Sequence, residues 1–219
     1  MSLETLLDQV RKIFARYEEE ERKFGDKFNV FKVLGIKDLE LFHSRFLYTL
    51  LDPKGDHGQD DLFLKLFFQS VLPSEIGITE NIRLIDVRVY KEFDADNYGR
   101  FDIFIRHNIF NLIIENKIHA QDNPDQIQKY YCYLSIKFPE SNNYILYLTL
   151  NGSSPVNSDI SHIKNNLICK SYKIDIIDWL EKCNEKCCNL PLLHETITQY
   201  INIIKILTGQ TRSKTMKQN

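Results

Sequence analysis

Apolar residues recur along this chain with two periods, and the places where the period changes mark out its elements. From the start, Leu3, Leu6, Val10, Ile13, Phe14 and Tyr17 fall on one stripe of a helix, and Glu18, Glu19, Glu20 and Glu21 after them read as a solvated face. A second helix is predicted from about Asp38 to Leu51, buried through Leu39, Phe42, Phe46, Leu47 and Leu50. The breaker cluster Asp52-Pro53-Lys54-Gly55 closes it. A third helix, about Asp60 to Val71, carries Leu62, Phe63, Leu66, Phe67 and Val71 and ends at Pro73. The period then shortens to two. Ile82 to Phe93 reads as a strand whose alternation is clearest from Val87. Turn residues fill 94–99, a second strand runs from Arg100 to Ile105, and Arg106-His107-Asn108 turns the chain into a third, Leu112 to Lys117.

The longer period returns at Asn123-Pro124, where Asn123 can cap and Pro124 suits the first turn of a helix. That helix carries Ile127, Tyr130, Tyr131 and Leu134, and an apolar strand, Tyr144 to Leu150, follows it. A helix between strands permits the crossover of a mixed α/β sheet. Tyr172 to Ile177 is expected as a last strand or extended entry, Asp178 to Cys187 as a helix, and 192–207 as an amphipathic helix. With no repeats and no interior linker, 1–210 reads as one domain and 211–219 as a polar, disordered tail.

The strands also carry the chemistry. Alternation puts Glu115 and Lys117 on one face with Ile113, while Ile114 and Asn116 point away. Asp102 sits at the mouth of the preceding strand. Two carboxylates, Asp102 and Glu115, suit a hard divalent cation that prefers oxygen ligands and keeps several waters. Such a cation polarises a phosphoryl oxygen and acidifies a bound water, and the ammonium of Lys117 offsets developing charge. The plain alternative is an exposed Glu–Lys pair worth at most about 1 kcal/mol, but the isoleucines before Glu115 place the pair at the end of a buried run. Gln126, near the start of its helix, points toward the same end of the sheet. On the second helix Glu40, His43 and Ser44 have helical spacing and can converge. There Glu40 can reach the cation through a water, against the alternative of a helix-start glutamate favoured by the dipole. His43 can orient Glu40 or bind a phosphate, or simply hydrogen-bond locally. Glu92 is an equal choice between cleft and strand edge, His57 reads as a loop-capping residue, Gly99 serves a turn and Arg100 the approach of a phosphate.

Asp102 followed by Glu115-Asn116-Lys117 on consecutive strands resembles the signature of the PD-(D/E)xK nuclease superfamily. The resemblance continues in Gln126-Ile127-Gln128-Lys129-Tyr130, similar to the Gln-apolar-x-x-Tyr helix of an exonuclease-like branch. It also reaches Glu40-Leu41-Phe42-His43-Ser44-Arg45-Phe46-Leu47 and Leu50-Leu51-Asp52-Pro53, which look like the front helix of a bacterial subfamily. The proline of the family name is replaced by Phe101. The resemblance implies a restriction-endonuclease-like fold: a mixed sheet in an αβββαβ core, here with additional N- and C-terminal helices. It implies hydrolysis of nucleic acid, DNA before RNA, with Mg²⁺ or Mn²⁺ held by Asp102 and Glu115. Lys117 then assists the nucleophile, Gln126 supports, and Glu40 completes the acidic cluster. The alternative is a nuclease-fold module that binds or regulates without cutting, against which the intact acid–acid–lysine set argues.

Composition adds few restrictions. Lys and Arg number 28 against 30 Asp and Glu, a formal charge of −2, so any phosphate-binding surface is local rather than global. No apolar run approaches the roughly 20 residues that span a bilayer, and the first residues lack the basic and apolar regions of a signal peptide. Five cysteines without a spaced framework point to reduced thiols and a cytoplasmic protein. Cys183, Cys187 and Cys188 with His194 lack a second Cys-x-x-Cys half and read as small residues near a helix face rather than a zinc site. Beyond nucleic acid, the expected partners are a second copy in a homodimer or another protein.

Overall fold

In the computed structural model, which describes residues 2–24, 28–72, 84–119, 125–155 and 163–210, the period-two segments pair into one five-stranded sheet in the order β1-β2-β3-β4-β5. β1 (Arg88–Asp94), β2 (Arg100–Arg106) and β3 (Phe110–Lys117) form an antiparallel meander, as their short turns dictate. β4 (Asn142–Thr149) joins β3 in parallel after a helical crossover, and β5 (Leu167–Ser171) joins β4 in parallel. The sheet is therefore mixed, in an α/β arrangement consistent with a restriction-endonuclease-like fold.

Two compact units, Met1–Ile36 and Lys37–Asn219, make up the chain. The first holds α1 (Leu3–Phe24) and the short α2 (Val30–Val33), whose N-terminus is capped by Asn29 accepting from the Lys32 N–H. The second holds the sheet with α3 (Glu40–Leu51), α4 (Leu62–Val71), α5 (Gln126–Lys137), α6 (Ile177–Lys186) and α7 (Pro191–Leu207).

Strand alternation divides the core of this second unit into two layers. Phe104 and Ile113, with Ile145 and Tyr147 of β4, pack with Ile127, Tyr130, Tyr133 and Leu134 of α5. Phe110 of β3 instead meets Phe68 of α4 edge to face, and Trp179 of α6 lies against Phe67 and donates its indole N–H to the Phe63 carbonyl. α3 crosses β1, β2 and β3 on this second side, burying Leu47, Leu50 and Leu51. Burial of this kind, at about 25 cal/mol per Å² of apolar surface, is the main source of the fold's stability.

The structure revises two predicted elements and one buried stripe: Leu84–Asp86 form a 3-10 turn, so the first strand starts at Arg88, and Leu39 and Phe42 at the start of α3 are exposed rather than buried. Tyr172 to Ile177 is not the last strand: β5 lies just before it, and Tyr172–Ile176 forms a single π-helical turn. Tyr172 and Ile176 are buried while Ile174 is 69% exposed, so alternation of large apolar residues here hides a helical repeat. Ser171 and Asp175 set the turn. The Ile174 N–H donates to Ser171 Oγ, and both the N–H and the hydroxyl of Ser171 donate to Asp175 Oδ2. Pro73, the Ile82-Arg83 strand start, the Asn123-Pro124 cap and the tail 211–219 lie outside the described residues. No described helix is long and apolar enough to cross a membrane.

Candidate active site

β2 and β3 deliver their acids where the two strands part. Their paired register runs from Arg106↔Asn111 to Ile103↔Ile114 and stops there, so Asp102 and Glu115 stand just beyond the last rung. Asp102 Oδ2 accepts the backbone N–H of Asn116 at 2.9 Å. Glu115 lies in an unbroken buried run from Phe110 to Asn116 and is itself 3% exposed.

An ionised carboxylate buried this deeply requires partners, and Glu115 has them on both oxygens. Oε1 lies 2.8 Å from Lys117 Nζ and accepts the Gln126 amide at 2.8 Å. Oε2 is 3.0 Å from the Tyr130 hydroxyl, whose single proton is shared between that oxygen and the Arg100 carbonyl at 2.9 Å. The Gln126 amide also donates to Tyr130 Oη. Asp125 at the α5 N-cap has φ +68, and this tight entry aims the first helical residue, Gln126, at the strand ends. Three of the sequence-predicted residues, Glu115, Lys117 and Gln126, thus meet directly, with Tyr130 joining them.

The electrostatics follow from burial. Burial and the neighbouring Glu115 charge push the Asp102 carboxyl up to about 7, against the pull of the Asn116 N–H and Lys117. Burial also raises Glu115, outweighing the Lys117 ammonium and the donated hydrogen bonds. Burial works to lower the Lys117 ammonium, but Glu115, by charge and hydrogen bond, with Glu40 and Asp102, holds it above the ordinary lysine value. Once both acids are ionised, two carboxylates and one ammonium share a desolvated place with an excess of negative charge. Such a place has affinity for a cation.

Glu40 reaches the same region from α3 and grips the end of β3. Its Oε1 accepts the Ile118 N–H at 2.7 Å and the His119 N–H at 3.2 Å. Among the described residues no group of three or more His, Cys, Asp or Glu side chains is arranged to hold a metal, so the acidic core is the pair Asp102 and Glu115. His43 does not face a phosphate-binding surface: buried at 2% exposure, it lies between Tyr200 Oη and the Lys37 carbonyl, each at 2.8 Å. Glu92 pairs with Arg45 of α3 at 2.9 Å from a backbone with φ +48, which ties β1 to α3. His57 shapes its own loop, bonding the Asp52 carbonyl and the Gln59 N–H. Cys183 and Cys187 are buried thiols of α6 and its C-cap.

Two participants escape sequence reasoning, Asn116 and Tyr172. Asn116 is 1% exposed, and its side chain donates to the Glu40 carbonyl and Ser44 Oγ and accepts from Tyr172 Oη. The available signal was an amide on an otherwise apolar strand face, Phe110, Leu112 and Ile114, away from the acids.

Comparison with protein-family models finds a match to the PD-(D/E)XK nuclease superfamily over residues 28–202. No curated protein and no solved structure matches the chain.

Proposed function

The chain belongs to the PD-(D/E)XK nuclease superfamily, and from that premise we propose that it is a metal-dependent phosphodiesterase that cleaves nucleic acid, with DNA as its substrate. The observation that carries this reading is the junction of Lys117 and Glu115 at 2.8 Å beside Asp102, whose carboxyl is pushed up to about 7. A salt bridge made only for stability gains little from a second buried acid that it leaves uncompensated.

Asp102 and Glu115 would hold the ion, Mg²⁺ or Mn²⁺. The donor set fits: both ligands are hard oxygens, one oxygen of Asp102 and both of Glu115 are oriented by protein donors, and the surplus negative charge of the ionised pair needs a cation. When bound, the ion supplies Lewis acidity and acidifies a coordinated water. Lys117 keeps an ammonium at the reacting phosphate, charged because its carboxylate neighbours hold its proton. Gln126 and Tyr130 fix the two oxygens of Glu115, so that the carboxylate does not swing onto Lys117 alone. Glu40 acts from behind the site, docking α3 onto the end of the strand that carries Lys117. The five cysteines, all free, suit a reducing cytoplasm.

The test is a cleavage assay on labelled DNA and RNA with Mg²⁺, Mn²⁺ or EDTA. The wild type is expected to cut DNA only with metal, and Asp102→Ala or the Glu115→Ala/Lys117→Ala double variant to lose at least about a hundredfold in rate. Cleavage that survives in the double variant overturns the reading. Metal uptake without cleavage of any substrate assigns the chain instead to a binding module.

A further inference from the structure

We propose that Asn116 is a positioning residue for the acidic site, and that its buried hydrogen bonds to α3 and Tyr172, with Tyr172 packed on the hydrogen-bonded pair His43 and Tyr200, are the mount that holds the front helix against the Asp102–Glu115 pair. The inference rests on the nuclease reading for its purpose but not for its geometry.

Asn116 lies between Glu115 and Lys117, yet alternation turns its side chain to the opposite side of the sheet, where α3 packs. The Glu40 carbonyl can only accept, so the group facing it at 3.2 Å is the amide NH₂, whose second hydrogen goes to Ser44 Oγ at 3.0 Å. The amide oxygen is thereby left for the Tyr172 hydroxyl at 2.9 Å. The Tyr172 ring packs edge-on against the His43 ring at 5.8 Å between centroids, and Tyr200 Oη lies 2.8 Å from His43 Nδ1. His43 Nε2 faces a carbonyl, that of Lys37, at 2.8 Å, so that nitrogen carries the proton.

This set joins β3, the π turn after β5, α7 and α3 by hydrogen bonds and ring packing, and it is out of solvent, with Tyr172 at 0% and Tyr200 at 2% exposure. An apolar set of the same shape would fill this space without the cost of desolvating an amide, two phenols and an imidazole. What the polar set adds is register. Asn116 grips α3 through the Glu40 carbonyl, while the end of the same strand grips the Glu40 carboxylate through the Ile118 and His119 amides. The backbone N–H of Asn116 meanwhile orients Asp102. One residue thus fixes two acids, one through its side chain and one through its peptide.

Hydrogen exchange and metal titration together test this. Tyr172→Phe removes only the donor to Asn116. In the metal-free protein it is expected to speed exchange of the Asn116, Ile118 and His119 amides at least about tenfold more than that of other β3 amides. Ile204→Ala, a core change on α7, is expected to move all of them together. Mn²⁺ affinity, read by calorimetry without turnover, is expected to fall about 10- to 100-fold in Asn116→Asp, whose acceptor would face the Glu40 carbonyl. Smaller losses are expected in Tyr172→Phe, and smaller again in Tyr200→Phe. Unchanged relative exchange in Tyr172→Phe overturns the proposal, as does Mn²⁺ affinity no weaker in Tyr172→Phe than in Ile204→Ala. Should Asn116→Asp fail to fold, the two phenylalanine variants decide. Selective exchange in a wild-type background that takes up no metal keeps the mount and sinks the nuclease reading instead.

Discussion

Asp102 shows at single-residue scale what the site costs the fold. Its carboxyl is pushed from 3.8 to about 7 by burial and then by Glu115, so the folded chain holds a proton that the unfolded chain releases. Between those values the unfolded state binds fewer protons, and stability falls as pH rises; the penalty is absent below about pH 4 and complete above about 7. Asparagine keeps the shape and an acceptor for the Asn116 N–H but has no charge to bury. Asp102→Asn is therefore expected to stabilise the metal-free protein at pH 8, by at most about 4 kcal/mol, with the gain vanishing toward pH 4. Thermal unfolding in EDTA across pH 4–9 checks this, and added Mn²⁺ is expected to reverse the order by stabilising the wild type alone. A metal-free Asp102→Asn less stable than wild type at pH 8 would show that the carboxylate is satisfied as it stands. A group that destabilises its own apo fold has its use elsewhere, in what it binds.

The element that most needs explanation is the π turn at Tyr172–Ile176, because it brings Tyr172 under the site and because apolar alternation misreads it as a strand. Its start depends on Ser171, whose hydroxyl receives the Ile174 N–H and donates to Asp175. Ser171→Ala is expected to cost about 1–2 kcal/mol in urea unfolding, the usual loss of a helix cap. No loss of stability would mean that tertiary packing alone forms the turn. The meander β1-β2-β3 was legible because each strand alternates and each turn has turn residues; the parallel crossover was legible because α5 separates two apolar strands. Within those elements Asp102, Glu115, Lys117 and Gln126 were legible because their spacing sets their faces. Tyr172 was not, since its role depends on a serine and an aspartate whose pairing only a helical turn creates. Glu40 was legible as a residue near the site, but its grip on the Ile118 and His119 amides depends on how α3 crosses the sheet. Local pattern does not encode that crossing.

At the scale of the whole molecule the charge is the telling quantity. A protein with 28 basic and 30 acidic residues does not attract a polyanion by its overall field, so under the proposed function any affinity for DNA would have to come from the few cations near the strand ends and from a bound metal. Some of the cations along α3 and β1 are already engaged: Arg45 pairs with Glu92, and Lys91 sits over the Tyr48 ring. The association of His43 with Tyr200, 157 residues apart in the chain, makes the related point that the site's supports are collected from the whole second unit. Such long-range pairings are what periodicity leaves unread. If the contact with substrate is this local, DNA binding depends weakly on salt. Each phosphate contact contributes about −0.9 to the slope of log K against log salt. For a Glu115→Gln variant binding a duplex oligonucleotide without metal, the slope is therefore expected to be no steeper than about −4. A slope steeper than about −6 would require a continuous basic surface, and the metal site would then be one part of a much larger groove. A shallow slope, with binding strengthened by Mn²⁺ in the wild type more than in the variant, would place most of the recognition where Asp102, Glu115 and Lys117 meet.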